Sequence, residues 1–62
     1  MKLDLTKLKI AMARALIDPQ QLATKAGIAY ITLKRSTQTG RTRPSTVGKI
    51  AHALGVDVVE LI

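Results

Sequence analysis

Two short helical patterns joined at one glycine lie within residues 18–38, DPQQLATKAGIAYITLKRSTQ. Asp18 is a good N-cap and Pro19 suits the first helical position, so a helix is predicted to begin there. Gly27 is expected to end that helix, because glycine tolerates the positive φ found just after many helices. A second helix is predicted over residues 29–38. The sequence therefore predicts two consecutive helices joined by a short turn.

The second of these helices has two different sides. Leu33 is its clearest inward position, with Tyr30 and Thr37 nearby on the same side. Residues at steps of three, four and seven share one side of a helix. From Ile31 these steps define a second stripe, here named the basic edge, which consists of Ile31, Lys34, Arg35 and Gln38. A helix with such an edge fits the DNA major groove if the fold leaves the edge exposed.

Another helix is predicted before this pair. Its apolar residues recur at steps of three and four, the spacing of one helix face. They are Leu5, Leu8, Met12 and Leu16. Thr6 is the expected N-cap, and the helix should end near Ile17 because Asp18 and Pro19 follow.

Beyond the pair, the sequence predicts a loop and two more helices. Ser45 is the expected cap of the fourth helix, and Gly55 stops it. The inward residues of this helix are Val47, Ile50, Ala51 and Leu54. Asp57 and Glu60 resemble a capping box that opens a fifth, short helix reaching Ile62. The fold class expected from the five helices is all-α.

Charge narrows the kinds of partner. The 62 residues include ten basic and four acidic ones, which gives a formal net charge of +6. Between Pro19 and Val56 there is no acidic residue. The basic residues of that segment are Lys25, Lys34, Arg35, Arg41, Arg43 and Lys49. The positive electrostatic field of these residues favours a polyanion as partner. The alternative interpretation is that the charges only make the surface soluble.

Other classes of function find little support in the composition. Absence of cysteine fits a reducing compartment, so a cytoplasmic location is expected. The segment 10–17, apolar apart from Arg14, is too short and too interrupted to span a membrane, and no membrane contact is expected. His52 has no companion ligands, so no metal or cofactor is expected. Ser36 and Ser45 lack a plausible base, and the chain is not expected to be an enzyme.

The order and spacing of these signals extend over nearly the whole chain. The residues concerned are Leu22-Ala23, Gly27-Ile28, Thr32-Leu33, Gly40, Pro44-Ser45 and the run KIAHALGV at 49–56. In this order they resemble the Cro/repressor-type helix-turn-helix family, also called the XRE family. The resemblance implies a compact, lambda-repressor-like bundle of five helices over residues 1–62, with its helix-turn-helix core at 19–38. It also implies sequence-specific binding of double-stranded DNA by the third helix, as in a transcriptional repressor.

Site residues follow by position from the resemblance. Contacts to bases fall on Tyr30, Ile31 and Arg35. Contacts near the DNA backbone fall on Lys34, Arg41 and Arg43. The chain differs from the family pattern at Pro19, where a phosphate-binding glutamine is common, so that contact is lost or passes to Gln20. Further differences are Ala29 in place of a Ser or Thr cap, Ser36 at a usually apolar position, and one extra residue near Thr39.

Each site residue also has a simpler interpretation. Arg35 either grips guanine or is a solvated helix residue. Ile31 either touches a thymine methyl or packs against the first helix or a partner chain. Tyr30 either donates a hydrogen bond to DNA or packs against the core. The remaining backbone candidates are Thr32 and Gln38, which have enough polar reach or are ordinary helix surface, and Ser45, at the amino end of the fourth helix.

The end of the chain suggests a second surface. Its apolar residues exceed what a small core absorbs, and they are Val58, Val59, Leu61 and Ile62. They are expected to form a homodimer contact, unless the chain is a piece of a longer protein. A rival function is a protein-interaction module, such as an antitoxin or adaptor, which would use this terminal helix and leave the basic residues as solvation.

Overall fold

A computed structural model describes all residues, 1–62, as four α-helices and one 3₁₀ turn. The helices are α1 (Leu5–Ala15), α2 (Pro19–Ala26), α3 (Tyr30–Thr39) and α4 (Pro44–Leu54), and the 3₁₀ turn is Val58–Glu60. The all-α prediction is confirmed, whereas the predicted fifth helix is wrong. Asp57 and Glu60 do form the expected capping box, but it encloses only the 3₁₀ turn. The turn stops there because Leu61 is buried and its carbonyl accepts the N–H of Asp4 at 2.7 Å.

Helix α1 begins and ends differently from the prediction. Asp4, not Thr6, is the N-cap, and its carboxylate accepts the backbone N–H of Lys7 at 3.0 Å. Leu16 follows the helix in the left-handed conformation, with φ of 56° and a side chain 90% exposed. Leu16 therefore does not continue the helix face of Leu5, Leu8 and Met12, because the helix ends at Ala15 and the chain reverses there. Leu8 and Ala11 are the buried residues of α1.

Helix α2 confirms its predicted ends. The Asp18 carboxylate accepts the N–H of Gln21 at 2.8 Å, and the Gln21 side chain accepts the N–H of Asp18 at 2.9 Å. Gly27 takes up a φ of 73° directly after the helix. Leu22 and Ala23 are buried, and α2 packs against both α3 and α4. This helix is the structural centre of the domain.

Helix α4 confirms its predicted inner side but not its predicted cap. Arg43 occupies the N-cap position without a side-chain hydrogen bond, and Pro44 is the first helical residue. Ser45 therefore lies inside the first turn, because proline, with its fixed φ, starts the helix two residues earlier than a cap at Ser45 would. All four predicted inward residues are buried, and Gly55 ends the helix with a φ of 69°.

One apolar core joins all these elements. Its fully buried large side chains are Leu8, Leu22, Leu33, Val47, Ile50 and Leu61. Leu3, before α1, is also buried, and its N–H donates to the carbonyl of Gly40 at 2.7 Å. The first residues of the chain are thereby fixed beside the α3–α4 loop. No helix combines the length and the hydropathy that a membrane span needs.

Candidate nucleic-acid interface

The basic edge lies on the outer side of α3. Its four side chains are exposed, and Ile31, the apolar one among them, is 62% exposed. Leu33 and Ser36 are the buried residues of the same helix. Because Leu33 is held in the core, the residues two positions before and after it point away from the domain. The fold therefore leaves the predicted edge accessible over its whole length.

A buried serine on the inner side of α3 does not disturb this orientation. The hydroxyl of Ser36 donates to the carbonyl of Thr32 at 3.0 Å, which satisfies its hydrogen-bonding need. No buried side-chain nitrogen or oxygen lacks a partner in the structure. A polar residue at this inward position is thus compatible with a normally packed helix.

Two candidate contact residues lie in the first turn of α3. Tyr30 is 43% exposed, so its ring is partly covered and partly accessible. Thr32 is exposed. The backbone N–H groups of this turn receive no side-chain cap, because Ala29 occupies the N-cap position. Neither of the two sequence interpretations of Tyr30 is favoured by its exposure.

Three arginines meet in one groove beside the basic edge. Arg35 of α3 and Arg41 and Arg43 of the α3–α4 loop line an open groove of about 550 Å³. The floor and rim of this groove are polar, and they consist of Thr32, Ser36, Thr39 and Thr42. The loop is braced there, because the Thr39 hydroxyl accepts the N–H of Arg41 at 3.2 Å and donates to the carbonyl of Arg35 at 3.1 Å.

The remaining predicted contact residues lie outside this groove. Gln20 and Ser45 are exposed in the first turns of α2 and α4, respectively. Lys34 and Gln38 are exposed on α3, but they do not line the groove with Arg35. Of the predicted polar contact residues, the structure thus brings Thr32, Arg35, Arg41 and Arg43 together in one groove and leaves the others exposed outside it.

Lys2 also belongs to this surface, although no sequence pattern identified it. It lines a second groove together with Arg41 and Arg43, next to the first. Its place depends on pairing between residues 39 positions apart in the chain, since Lys2 lies opposite Arg41 in an antiparallel bridge. A pairing of this kind has no local pattern, so no periodicity or spacing would have identified it.

The segment from Pro19 to Val56, which includes α3 and its loop, contains no acidic residue. The four acidic residues act at helix or turn starts, where the carboxylates of Asp4, Asp18 and Asp57 accept backbone N–H groups and Glu60 completes a capping box. His52 is exposed, and no three His, Asp or Glu side chains form a group that could hold a metal ion. The groove with Arg35, Arg41 and Arg43 contains no carboxylate, so its cations can attract anions without competition there.

A separate apolar surface lies on α1 and the 3₁₀ turn. Ile10 is 49% exposed and Val59 is 66% exposed, and both line a shallow cleft with Lys7, Arg14 and Glu60. The predicted dimer contact at Leu61 is wrong, because that side chain is fully buried in the core. Val58 is half-buried against the core, whereas Ile62 is exposed.

Comparisons with models of protein families, with curated proteins and with solved structures give no match to this chain. The function of the surface is therefore inferred from its own residues.

Proposed function

We propose that this chain is a helix-turn-helix domain that binds double-stranded DNA at specific sequences and acts in the cytoplasm as a transcriptional repressor. The observation that supports this most strongly is the basic edge, exposed along α3 beside a groove with three arginines. A helix that is accessible, cationic and free of nearby carboxylates suits a groove bordered by phosphates. Repression would follow from occupying a site that the transcription machinery needs.

In this proposal α3 enters the major groove and α2 crosses the DNA backbone. Arg35 donates two hydrogen bonds to O6 and N7 of a guanine, which discriminates against other bases by about 1–3 kcal/mol. Ile31 lies one helical turn earlier, and its exposed side chain fits the methyl group of a thymine. Tyr30 contacts a base or phosphate from the first turn of the helix.

The DNA backbone would be held by groups that surround this helix. They are Gln20, Thr32, Lys34, Gln38, Arg41, Arg43 and Ser45. Arg41 and Arg43 contribute through charge, since each neutralised phosphate releases condensed counterions. These contacts fix the register of α3 in the groove but carry no sequence information of their own.

Selection of duplexes from a random pool tests specificity directly. We expect an enriched motif with a guanine where Arg35 binds, and an affinity for it that falls with salt. About six phosphate contacts give a log–log slope near −5 by the rule of about −0.9 per contact. A scrambled duplex serves as the control. No enriched motif, a flat salt dependence, or equal affinity for an RNA duplex of the same sequence would contradict the proposal.

We further propose that the protein binds DNA as a homodimer. One domain of this size covers little DNA, so selective binding favours two copies on half-sites about 34 Å apart. The contact would use Ile10 and Val59, the exposed apolar residues of the cleft on α1 and the 3₁₀ turn. Sedimentation of the free protein and symmetry in the selected motif test this, and a monomer on an asymmetric motif would contradict it.

The exposed pair of Ile10 and Val59 also favours one alternative function. A protein-interaction module, such as an antitoxin or adaptor, would bury these residues against a different protein. Purification would then yield a stoichiometric protein partner, and the free domain would show no preference among duplexes. Specific duplex binding by the isolated domain would contradict this alternative.

A further inference from the structure

The first residues of the chain form a short antiparallel pair with the α3–α4 loop. The N–H of Leu3 donates to the carbonyl of Gly40 at 2.7 Å, and the N–H of Thr42 donates to the carbonyl of Met1 at 3.0 Å. Between these two bonds, Lys2 lies opposite Arg41. The buried side chain of Leu3 anchors the segment in the core. The position of Lys2 is therefore set by the backbone and not by a flexible tail.

This register places two cations side by side. Opposite residues of the type formed by Lys2 and Arg41 do not hydrogen-bond to each other, and their side chains approach more closely than those of hydrogen-bonded pairs. Both side chains extend from the same face of the pair, where like charges are destabilising. Arg43 follows two residues after Arg41, so it shares that face in the extended chain.

One carboxylate, that of Asp4, lies beside Lys2, but it lines a different cleft from the groove that contains Arg41 and Arg43. The acidic residue nearest in the chain is Asp4, and its carboxylate accepts the backbone N–H of Lys7 as the cap of α1. The whole segment from Pro19 to Val56, which includes the loop, has no acidic residue. The three cations are thus an arrangement that an anion from outside the chain would stabilise.

The cluster opens onto the same surface as the basic edge. Lys2, Arg41 and Arg43 line an open groove of about 700 Å³. That groove shares Thr39, Thr42 and both loop arginines with the groove that contains Arg35. The cationic surface is therefore continuous from Lys2 to α3.

We propose that Lys2, Arg41 and Arg43 form one site for the backbone phosphates of the DNA whose major groove receives α3. The proposal rests on the function proposed above and adds a contact that comes from the amino-terminal segment. A lysine ammonium suits this role because it acts as a point charge on phosphate without a demand for planar geometry. Since the contact is to phosphate, Lys2 adds affinity for every duplex sequence alike.

Salt titration of duplex binding tests this site with three variants of the full chain. Lys2→Gln removes the charge, Lys2→Arg retains it, and Lys7→Gln removes an exposed charge of α1 that lies in a different cleft. We expect Lys2→Gln to make the log–log slope less negative by about 0.9 and to weaken binding about eightfold at 0.1 M salt. Lys2→Arg and Lys7→Gln should keep the wild-type slope, and the preferred base sequence should not change.

The outcomes separate this site from the function on which it rests. If the wild type binds duplex but Lys2→Gln has an unchanged slope, the phosphate site is wrong and DNA binding stands. If the slope becomes less negative by the same amount in Lys7→Gln, the phosphate site is also wrong, because any surface charge would then have the same effect. If the wild type binds no duplex, the proposed function fails and the phosphate site fails with it. Thermal melting without DNA checks folding, and Lys2→Gln should melt no lower than the wild type, since a like-charge pair is removed.

Discussion

Helices α2 and α3 are neighbours, but they differ in how they are capped and packed. Helix α2 starts at Asp18 and Pro19 with a full capping box and packs against two other helices. Helix α3 starts at Ala29 with no side-chain cap, and its residues favour helix less. The hydroxyls of Ser36, Thr37 and Thr39 all turn back to carbonyls of their own helix. Stability is thus concentrated in α2, and α3 is held mainly by its packing while its outer side stays available for binding.

The largest contrast is expected from truncating one aliphatic side chain in each helix. Leu22→Ala should lower the free energy of unfolding by about 2–5 kcal/mol, because that side chain is fully buried. Ile31→Ala should change it by less than about 0.5 kcal/mol, because that side chain lies on the surface. Urea denaturation followed by circular dichroism measures both. Similar losses for the two variants would show that α3 is buried in solution and would break the contrast.

For DNA binding, a substitution in α3 should have a larger effect than one in α2. Arg35→Ala should cost about 1–3 kcal/mol of binding free energy for the preferred duplex and relax the preference at one base pair. Lys25→Ala is the matched control, since it removes an exposed cation from α2. Titration of labelled duplexes, with folding checked by thermal melting, gives both values. Equal losses would mean that the cations act only through total charge.

Substitutions at the N-caps of the two helices should change the free energy of unfolding by smaller amounts. Asp18→Ala should lower the free energy of unfolding by about 1 kcal/mol, because the N–H of Gln21 loses its partner. Ala29→Ser should raise it by about 0.5–1 kcal/mol, because Ala29 has extended dihedral angles suited to a capping serine. Chemical denaturation of the two variants is the measurement. A destabilised Ala29→Ser variant would contradict the view that α3 lacks only a cap.

Effects as small as those of the caps, but opposite in sign to each other, are expected where the chain enters and leaves α2. Leu16 and Gly27 both adopt positive φ, yet only the second is glycine. Leu16→Gly should raise the free energy of unfolding by about 0.5–1 kcal/mol, since strain in leucine exceeds the added flexibility of glycine. Gly27→Ala should lower it by about 1 kcal/mol through φ alone, because a Cβ there would meet no atom within 4 Å. Opposite signs in thermal melting are expected, and equal signs would contradict the strain assigned to Leu16.

Sequence patterns predicted the features that depend on neighbouring residues. The cap at Asp18, the glycine ends at Gly27 and Gly55, and the buried residues of α4 are local in this sense, and all are confirmed. The placement of Arg35 on an exposed side followed from the position of Leu33 in the core.

Long-range pairing accounts for most of what the patterns missed. Asp4 caps α1 in place of Thr6, and its own N–H is bonded to Leu61, at the other end of the chain. The same bond stops the 3₁₀ turn and buries Leu61, which removed it from the predicted dimer contact. Lys2 joined the cationic surface through its bridge to Arg41. Contacts between such distant residues depend on how the helices pack, which helix periodicity does not encode.

Chemical-shift mapping of the ¹⁵N-labelled protein with a selected duplex tests the central claim most directly. We expect large changes at Ile31, Lys34, Arg35 and Gln38 and in the loop with Arg41 and Arg43, with little change along α1 around Ile10. Changes confined to α1 and the 3₁₀ turn, or no change at saturating duplex, would contradict the assignment of α3 as the DNA-binding element.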